Sequence, residues 1–346
     1  MKVILFDYEL PENLIAQKPV TPRDSSRLLI LDPVLKTTED KLFYQIIDYL
    51  SPGDVLVVND SKVIPARLFG IKAPDTRIEL LLLKRLEKDI WECLVKPGKK
   101  IKVGDRVSFS EKLRATCLDI TSEGSRIMQF YHEGIFEEIL DELGEMPLPP
   151  YISRKLPKEE RNRYQTVYCK SGESAAAPTA GLHFTKELLD KITNKGIILT
   201  SVMLNVGLGT FRPVKVEDTD NHIMHEEYYE INKDAANIIN SAIKEKRRII
   251  AVGTTTVRVL ESVFNEYNEI KATQEWTNIF IKPGYKFKVV NSLITNFHLP
   301  QSSLMMLISA FMDREFTLES YKLAIEKEYR FFSFGDAMFI TRRKDA

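Results

Sequence analysis

The sequence predicts an α/β protein: a mostly parallel sheet covered by helices, with a small all-β barrel inserted into it. Three observations lead there. In the second half of the chain, continuously apolar strand-like runs alternate with amphipathic helix-like runs, the pattern of a sheet buried on both faces. From about 64 to 131 the character changes to short β-like runs separated by Gly, Pro and charged turn residues, which fits a small barrel or sandwich. The length, 346 residues, suggests about two domains at roughly 150 residues each. The expected division is a discontinuous α/β domain (1–63 and 151–346) around an inserted barrel (64–150).

The elements follow in order. PGDVLVV at 52–58 reads as a strand after a Pro-Gly turn. ARLFGIK, IELLLLKRL, IWECLVKPG, KIKVGDRVSF, LRATCLDI and SRIMQFYH read as the barrel strands. The Pro-rich, basic stretch 144–163 reads as a linker or exposed loop returning from the insertion. QTVYC looks strand-like. Thr185 can N-cap a helix with Leu188, Leu189 and Ile192 on one face and Gly196 as its stop. Strands are then expected at 197–206, 248–252 and 292–296 and within EEYYEI, with helices at 233–246, 256–264, 302–312 and 317–329.

Composition narrows the class. Hydrophobic residues at 44% and charged residues at 28% are ordinary globular values and exclude a disordered or collagen-like chain. Lys+Arg and Asp+Glu are both 49, so a wholly basic, histone-like nucleic-acid binder is disfavoured, while local basic surfaces are not. Cys93, Cys117 and Cys169 form no CxxC pair, and an odd count argues against a disulfide framework. A reducing, cytoplasmic setting is expected. The N-terminal apolar run, cut by Asp7 and Glu9, is too short for a signal segment. No uninterrupted apolar stretch reaches the roughly 18 residues a membrane span needs.

Several segments carry residues suited to chemistry. AVGTTTVR at 251–258 is a strand, a glycine, three threonines and a helix; its free N–H groups and hydroxyls suit a polar or anionic ligand, and a simple Thr-capped βα turn fits as well. It is neither a Walker loop nor a GxGxxG fingerprint. SGESAAAPTAGLHF at 171–184 is rich in small residues that let a ligand approach the backbone. A hydrolase elbow is disfavoured there, because Ala176 stands where the second glycine should be. His183 has the chemistry of an acid or base, though a lone His is more often structural. In NVGLGTFRPVKVEDTDNHIMHEEYYE, His222-x-x-His225 lacks the spacing of a common metal site, and no metal is expected. Asn59 and Asp60 follow a strand, where an Asx turn is as good a reading as function. TNFHLPQSSL places Asn296, His298 and Ser302 at another strand-to-helix junction. Basic clusters around Lys96–Arg106 and Arg154–Arg163 would flank a domain junction, a fitting groove for RNA phosphates.

These segments are familiar together. FDYELPENLIAQKP, RDSSRLL, GDVLVVNDSKVIPARL, GEMPLPPYI, YQTVY, AAAPTAGLHF, LNVGLGTFRPV, HEEYYEI, AVGTTTVRVLES, TNFHLPQSSLMMLISAF and FFSFGDAM resemble the S-adenosylmethionine:tRNA ribosyltransferase-isomerases of the queuosine pathway, nearly end to end. The resemblance implies an α/β domain carrying a β-barrel. It implies transfer and isomerisation of the ribosyl part of S-adenosylmethionine onto 7-aminomethyl-7-deazaguanine at the tRNA wobble position. The product would be epoxyqueuosine, with adenine and methionine released. The tRNAs would carry G-U-N anticodons (Asp, Asn, His, Tyr). A monomer without a metal is expected.

Within the matched blocks, Ala177, Pro178, Thr179, Gly181, Gly253, Thr254 and Thr255 are expected to cradle S-adenosylmethionine. His183, His225, Glu226 and Asp60 are the acid–base candidates. Arg212, Arg258, Asn296 and His298, with Arg154 and Arg161, are the substrate-orienting candidates. Rival readings are an S-adenosylmethionine-dependent RNA methyltransferase and a non-catalytic tRNA-binding protein.

Overall fold

A computed structural model describes residues 1–154, 156–207 and 214–343. The chain begins with β1 (Arg27–Asp32), β2 (Thr37–Leu42), β3 (Val55–Asn59) and a short β4 (Ser61–Val63). The insertion follows: β5 (Arg67–Lys72), β6 (Thr76–Glu87), β7 (Ile90–Lys96), β8 (Arg106–Ser108), β9 (Leu113–Ile120), β10 (Arg126–His132) and helix α1 (Phe136–Leu143). Next come β11 (Ser171–Ser174), α2 (Lys186–Asn194), β12 (Ile198–Leu204), β13 (Glu227–Ile231), α3 (Lys233–Lys244), β14 (Ile249–Val252) and α4 (Thr254–Tyr267). The chain closes with β15 (Thr273–Thr277), β16 (Ser292–Asn296), α5 (Ser303–Met312), α6 (Arg314–Glu326) and β17 (Ala337–Ile340).

Nine strands form one sheet in the order β15-β13-β12-β3-β14-β16-β17-β1-β2. Its centre, β12-β3-β14-β16, is parallel throughout. Antiparallel pairs close both edges, and β17 runs against β16 but with β1. Strand alternation explains the continuous apolar runs. Val55, Val57, Ala251 and Leu293 point into one core with α3 to α6, while Leu56, Val58, Ile250 and Ile294 point into another with α2. Each such side chain, fully buried, contributes roughly 1.5–3 kcal/mol. The helix starts are capped as their sequences suggest: Thr185, Asn232, Ser302 and Asp313 each accept a backbone N–H of the first turn.

The insertion is a closed barrel, β10-β7-β6-β5-β8-β9. Leu68, Leu80, Trp91 and Phe130 fill it, and α1 plugs one side with Phe136, whose ring meets Phe130 edge-on at 5.3 Å. Gly70 permits closure, since a Cβ there would stand 2.7 Å from the Ser108 carbonyl oxygen. Arg67 and Glu145 exchange both backbone hydrogen bonds where the chain enters and leaves. The barrel meets β11, which pairs with β4, through Arg85 and Glu173 (2.6 Å), and meets the main sheet through Lys84, which lies over the Trp276 ring at 3.6 Å.

Four local expectations change. QTVYC is a turn, not a strand, because the Gln165 side chain takes the strand's place: its amide bonds both the N–H and the C=O of Val63. The 144–163 stretch is not an exposed loop, since Met146, Leu148 and Ile152 are buried in a core of their own, with Tyr164 just beyond the stretch. Of KIKVGDRVSF only Arg106–Ser108 is strand. The last helix starts at Arg314 rather than 317, because Asp313 caps it through the Phe316 N–H at 2.8 Å.

Candidate active site

The parallel strands all end at one edge of the sheet. From β3 the chain returns on β12, to one side; from β14 it returns on β16, to the other. Between β3 and β14 the order therefore reverses, and a crevice opens beyond the strand ends. The space within it, open mouth included, is about 600 Å³.

Local sequence builds each wall. Gly253 follows β14 with φ +88°, a conformation that favours glycine, and turns the chain straight into α4. Thr254 and Thr255 thus present the helix start to the cleft. Thr255 is held from behind by Asn59, whose Nδ2 lies 3.3 Å from its Oγ1. Asn59 does form an Asx turn, accepting the Ser61 N–H at 3.0 Å, and its amide also bonds the N–H and C=O of Leu204. Ala177, Pro178 and Thr179 form the facing wall, where small side chains keep the backbone close to the opening. Gly181 lies outside the lining: a Cβ there would sit 2.0 Å from the Tyr168 hydroxyl, so glycine lets that ring pack beneath the loop.

Asn296 ends β16 and lines the cleft with His298. The Asn296 Nδ2 donates to His183 Nε2 at 3.0 Å, while its Oδ1 is buried without a partner. The second ring nitrogen of His183, Nδ1, lies 2.7 Å from Ser26 Oγ, and the ring stacks on Phe43 at 4.9 Å. His183 is therefore buried behind the wall rather than in it. Burial, with the fields of Arg330 and Arg23 adding, pushes its imidazole down to about 3. His298 Nε2 lies 2.9 Å from Thr295 Oγ1, and burial pushes this imidazole also down to about 3. Both rings are neutral at physiological pH.

The other predicted residues lie elsewhere. Asp60 is buried beside Lys170 (3.3 Å), away from the cleft lining. His225 and Glu226 are exposed, and His225 faces Glu123 of the barrel at 3.5 Å. Arg154 holds Glu160 at 2.7 Å and the Gln17 carbonyl at 2.9 Å. Arg161 donates to the Asp141 carbonyl at 2.8 Å and to that of Gly144, tying down the end of α1. Arg212 and Lys155 lie outside the described residues, as does the Lys158 side chain.

Arg258 is buried on α4, on the same face as Thr254 and Thr255, and pairs through Nη1 with Glu227. Its Nε and Nη2 are buried and have no hydrogen-bond partner among the described residues. Glu227 also accepts the Gly207 N–H at 2.9 Å. Sequence reasoning chose Glu226 and missed Glu227. The signal was there: alternation along EYYEI places Glu227 on the same face as Tyr229 and Ile231, which are buried. Tyr151, Phe332 and Ser333, which also line the cleft, were missed because they arrive from distant irregular segments. Among the described residues no group of three or more His, Cys, Asp or Glu gathers to hold a metal ion, and no helix is long and apolar enough to cross a membrane.

Comparison with known proteins adds the family. Residues 3–340 match the model of the queuosine biosynthesis protein family. A protein of Fusobacterium nucleatum subsp. nucleatum named S-adenosylmethionine:tRNA ribosyltransferase-isomerase is 57% identical over 97% of this chain and 95% of its own length. A Finegoldia magna protein of the same name is also 57% identical, over 97% of each chain. The crystal structure of an S-adenosylmethionine tRNA ribosyltransferase from Thermotoga maritima is 40% identical, covers 97% of this chain and 99% of its own, and superposes with a TM-score of 0.56. A match that spans both the sheet and the inserted barrel leaves one assignment: this chain belongs to the queuosine biosynthesis protein family.

Proposed function

We propose that the chain is an S-adenosylmethionine:tRNA ribosyltransferase-isomerase. It moves the ribosyl group of S-adenosylmethionine onto 7-aminomethyl-7-deazaguanine at the wobble position of G-U-N tRNAs and isomerises it, giving epoxyqueuosine, adenine and methionine. The observation that carries this reading is the cleft at the strand ends, where the small-residue loop, the start of α4 and Asn296 meet.

The chain's own groups match the ligand's parts. Asn296 Oδ1, buried and unpaired, accepts a hydrogen bond from the adenine amino group. Thr254 and Thr255 offer backbone N–H groups and hydroxyls to the ribose. The free Nε–Nη2 edge of Arg258 is the side of a guanidinium that grips a carboxylate with two parallel bonds, and it takes the methionyl carboxylate.

The sulfonium acidifies the adjacent ribose 5′ carbon, so a base in the cleft can remove a proton there. Burial that holds His298 down to about 3 makes it too weak a base for that step, so from the wall it is assigned to orient the ribose. Loss of adenine then leaves an unsaturated ribosyl sulfonium intermediate; the unprotonated aminomethyl nitrogen attacks it, and methionine leaves with the C–S electron pair as the carbocycle and its epoxide form. Apolar lining from Val206, Leu304 and Phe332 keeps water from the intermediate. The wobble base reaches the cleft flipped out of its loop.

Incubation with the modified tRNA and S-adenosylmethionine, followed by mass spectrometry of the small products, tests the reading. Adenine and methionine are expected. S-adenosylhomocysteine would instead indicate methyl transfer, and tRNA binding without turnover a non-catalytic protein.

A further inference from the structure

A second, smaller surface recess adjoins the cleft, with Ser333 lining both. Arg23 and Arg163 line it, together with the backbone around Phe334 and Gly335. The two guanidiniums are close enough that Arg163, after burial, is the second cause lowering the Arg23 pKa. Both are anchored by carbonyls: Arg23 donates to Gln165 (2.6 Å) and Asn162, and Arg163 donates to Val20. Among the described residues neither has a carboxylate at ion-pair distance. Glu160, whose field reaches Arg163, is held by Arg154 at 2.7 Å, and Asp24 accepts from Thr185 at 3.0 Å. His183, the other titratable group of the lining, is neutral. The recess is thus cationic, with its donors fixed in place and no internal counter-charge.

Two half-buried guanidiniums that repel each other are stabilised by an anion with several acceptor oxygens. We propose that this recess binds a phosphate of the tRNA backbone flanking the nucleoside that occupies the main cleft. The inference rests on the reading of the main cleft as the ribosyl-transfer site. The shared Ser333 wall makes the two sites neighbours, as a nucleoside and its own phosphodiester must be. Phosphate contacts fix register without reading sequence, which is what a flipped wobble nucleoside needs.

The experiment is steady-state adenine release with the modified tRNA, for wild type, Arg163→Gln, Arg23→Gln, Arg163→Lys and Arg23→Lys, at several salt concentrations. Each Gln variant should raise KM for tRNA and leave KM for S-adenosylmethionine within about twofold. It should also lower the slope of log affinity against log salt by about one, so that the loss of affinity between 50 and 200 mM salt shrinks roughly threefold. The Lys variants should retain most of the salt slope.

A parallel arm does not depend on how variants fold. A tRNA assembled with one uncharged methylphosphonate beside the target nucleoside should bind wild type less tightly and lose nothing further with Arg163→Gln. Unchanged tRNA KM and salt slope in the Gln variants, or full wild-type affinity for the methylphosphonate tRNAs on both sides of the target, overturns the phosphate site while leaving the main-cleft reading intact. A wild type that releases no adenine removes both.

Discussion

Asn296 Nδ2 lies 3.0 Å from His183 Nε2 and donates to it, and this one contact fixes the orientation of both side chains. The same amide nitrogen faces the Asp336 carbonyl at 3.4 Å, so the other amide atom must be the oxygen. His183 Nε2 is then unprotonated, Nδ1 carries the hydrogen and donates it to Ser26, and Asn296 Oδ1 is left as a buried acceptor at the cleft wall.

Asn296→Ala should therefore lower kcat/KM for S-adenosylmethionine by about 10- to 100-fold, the cost of losing a buried hydrogen bond of 1–3 kcal/mol. Adenine-release kinetics measure it, with a melting curve to show that the variant folds. A folded Asn296→Ala protein with wild-type kcat/KM would remove the amide from the site.

On the proposed reading His183 acts through Asn296 and is a positioning residue. His183→Ala leaves a cavity against Phe43 and unpairs Ser26, which costs about 2–4 kcal/mol of stability as well as turnover. The sequence offered His183 as an acid–base candidate; its burial against Phe43 and Ser26 adds a stability cost that an exposed catalytic group would not carry. Because the imidazole does not titrate near neutrality, the limbs of the kcat/KM pH profile should survive His183→Asn. A limb near pH 6.5 that vanishes in the variant would restore His183 to acid–base chemistry.

Glu227 and Arg258 form a buried pair behind the start of α4. Glu227→Gln should destabilise the fold by about 3–5 kcal/mol, because it leaves a guanidinium buried without its counter-charge. Arg258→Lys keeps the charge but loses the planar fork, so it should raise KM for S-adenosylmethionine and spare most of the stability. Denaturant midpoints and substrate titrations separate the two effects. Discrimination against decarboxylated S-adenosylmethionine should be large in wild type and small in Arg258→Lys.

How much of this was legible in the sequence depended on how local each signal was. The cap at Thr185, the strand at 292–296 and the barrel's turn-separated runs are set by neighbours a few residues apart, and they were read correctly. The β1–β2 hairpin escaped because Thr37–Leu42 is largely exposed and polar, so it carries no apolar alternation. QTVYC misled because Val167 and Tyr168 carry strand propensity that a long-range bond from Gln165 overrides. At the site, the junctions after β14 and β16 were visible as polar residues following apolar strands. The separation of Asp60, His225 and Glu226 from the cleft was not, because only the return paths of the chain decide which junctions converge.

The two buried imidazoles also set a pH dependence of stability whose sign follows from burial. In the unfolded chain His183 and His298 bind a proton near pH 6.5; in the folded protein both are held down to about 3. Above pH 6.5 neither state binds these protons, and their contribution is fully present. As pH falls below 6.5 the unfolded state takes up protons that the folded state refuses, so stability drops toward pH 3. Each histidine adds at most about 1.4 kcal/mol per pH unit, or roughly 2.7 for the pair. His222, also lowered by burial, adds to the same trend. Between pH 6.5 and 5 unfolded carboxylates are still ionised, so this window isolates the histidines. Urea midpoints at pH 7.5, 6.5, 5.5 and 5 should be level above 6.5 and fall below it, and His298→Gln should remove close to half of the slope. A midpoint that stays level down to pH 5 would mean that protons reach both rings in the folded state, and the cleft wall would then carry positive charge beside the sulfonium it is proposed to hold.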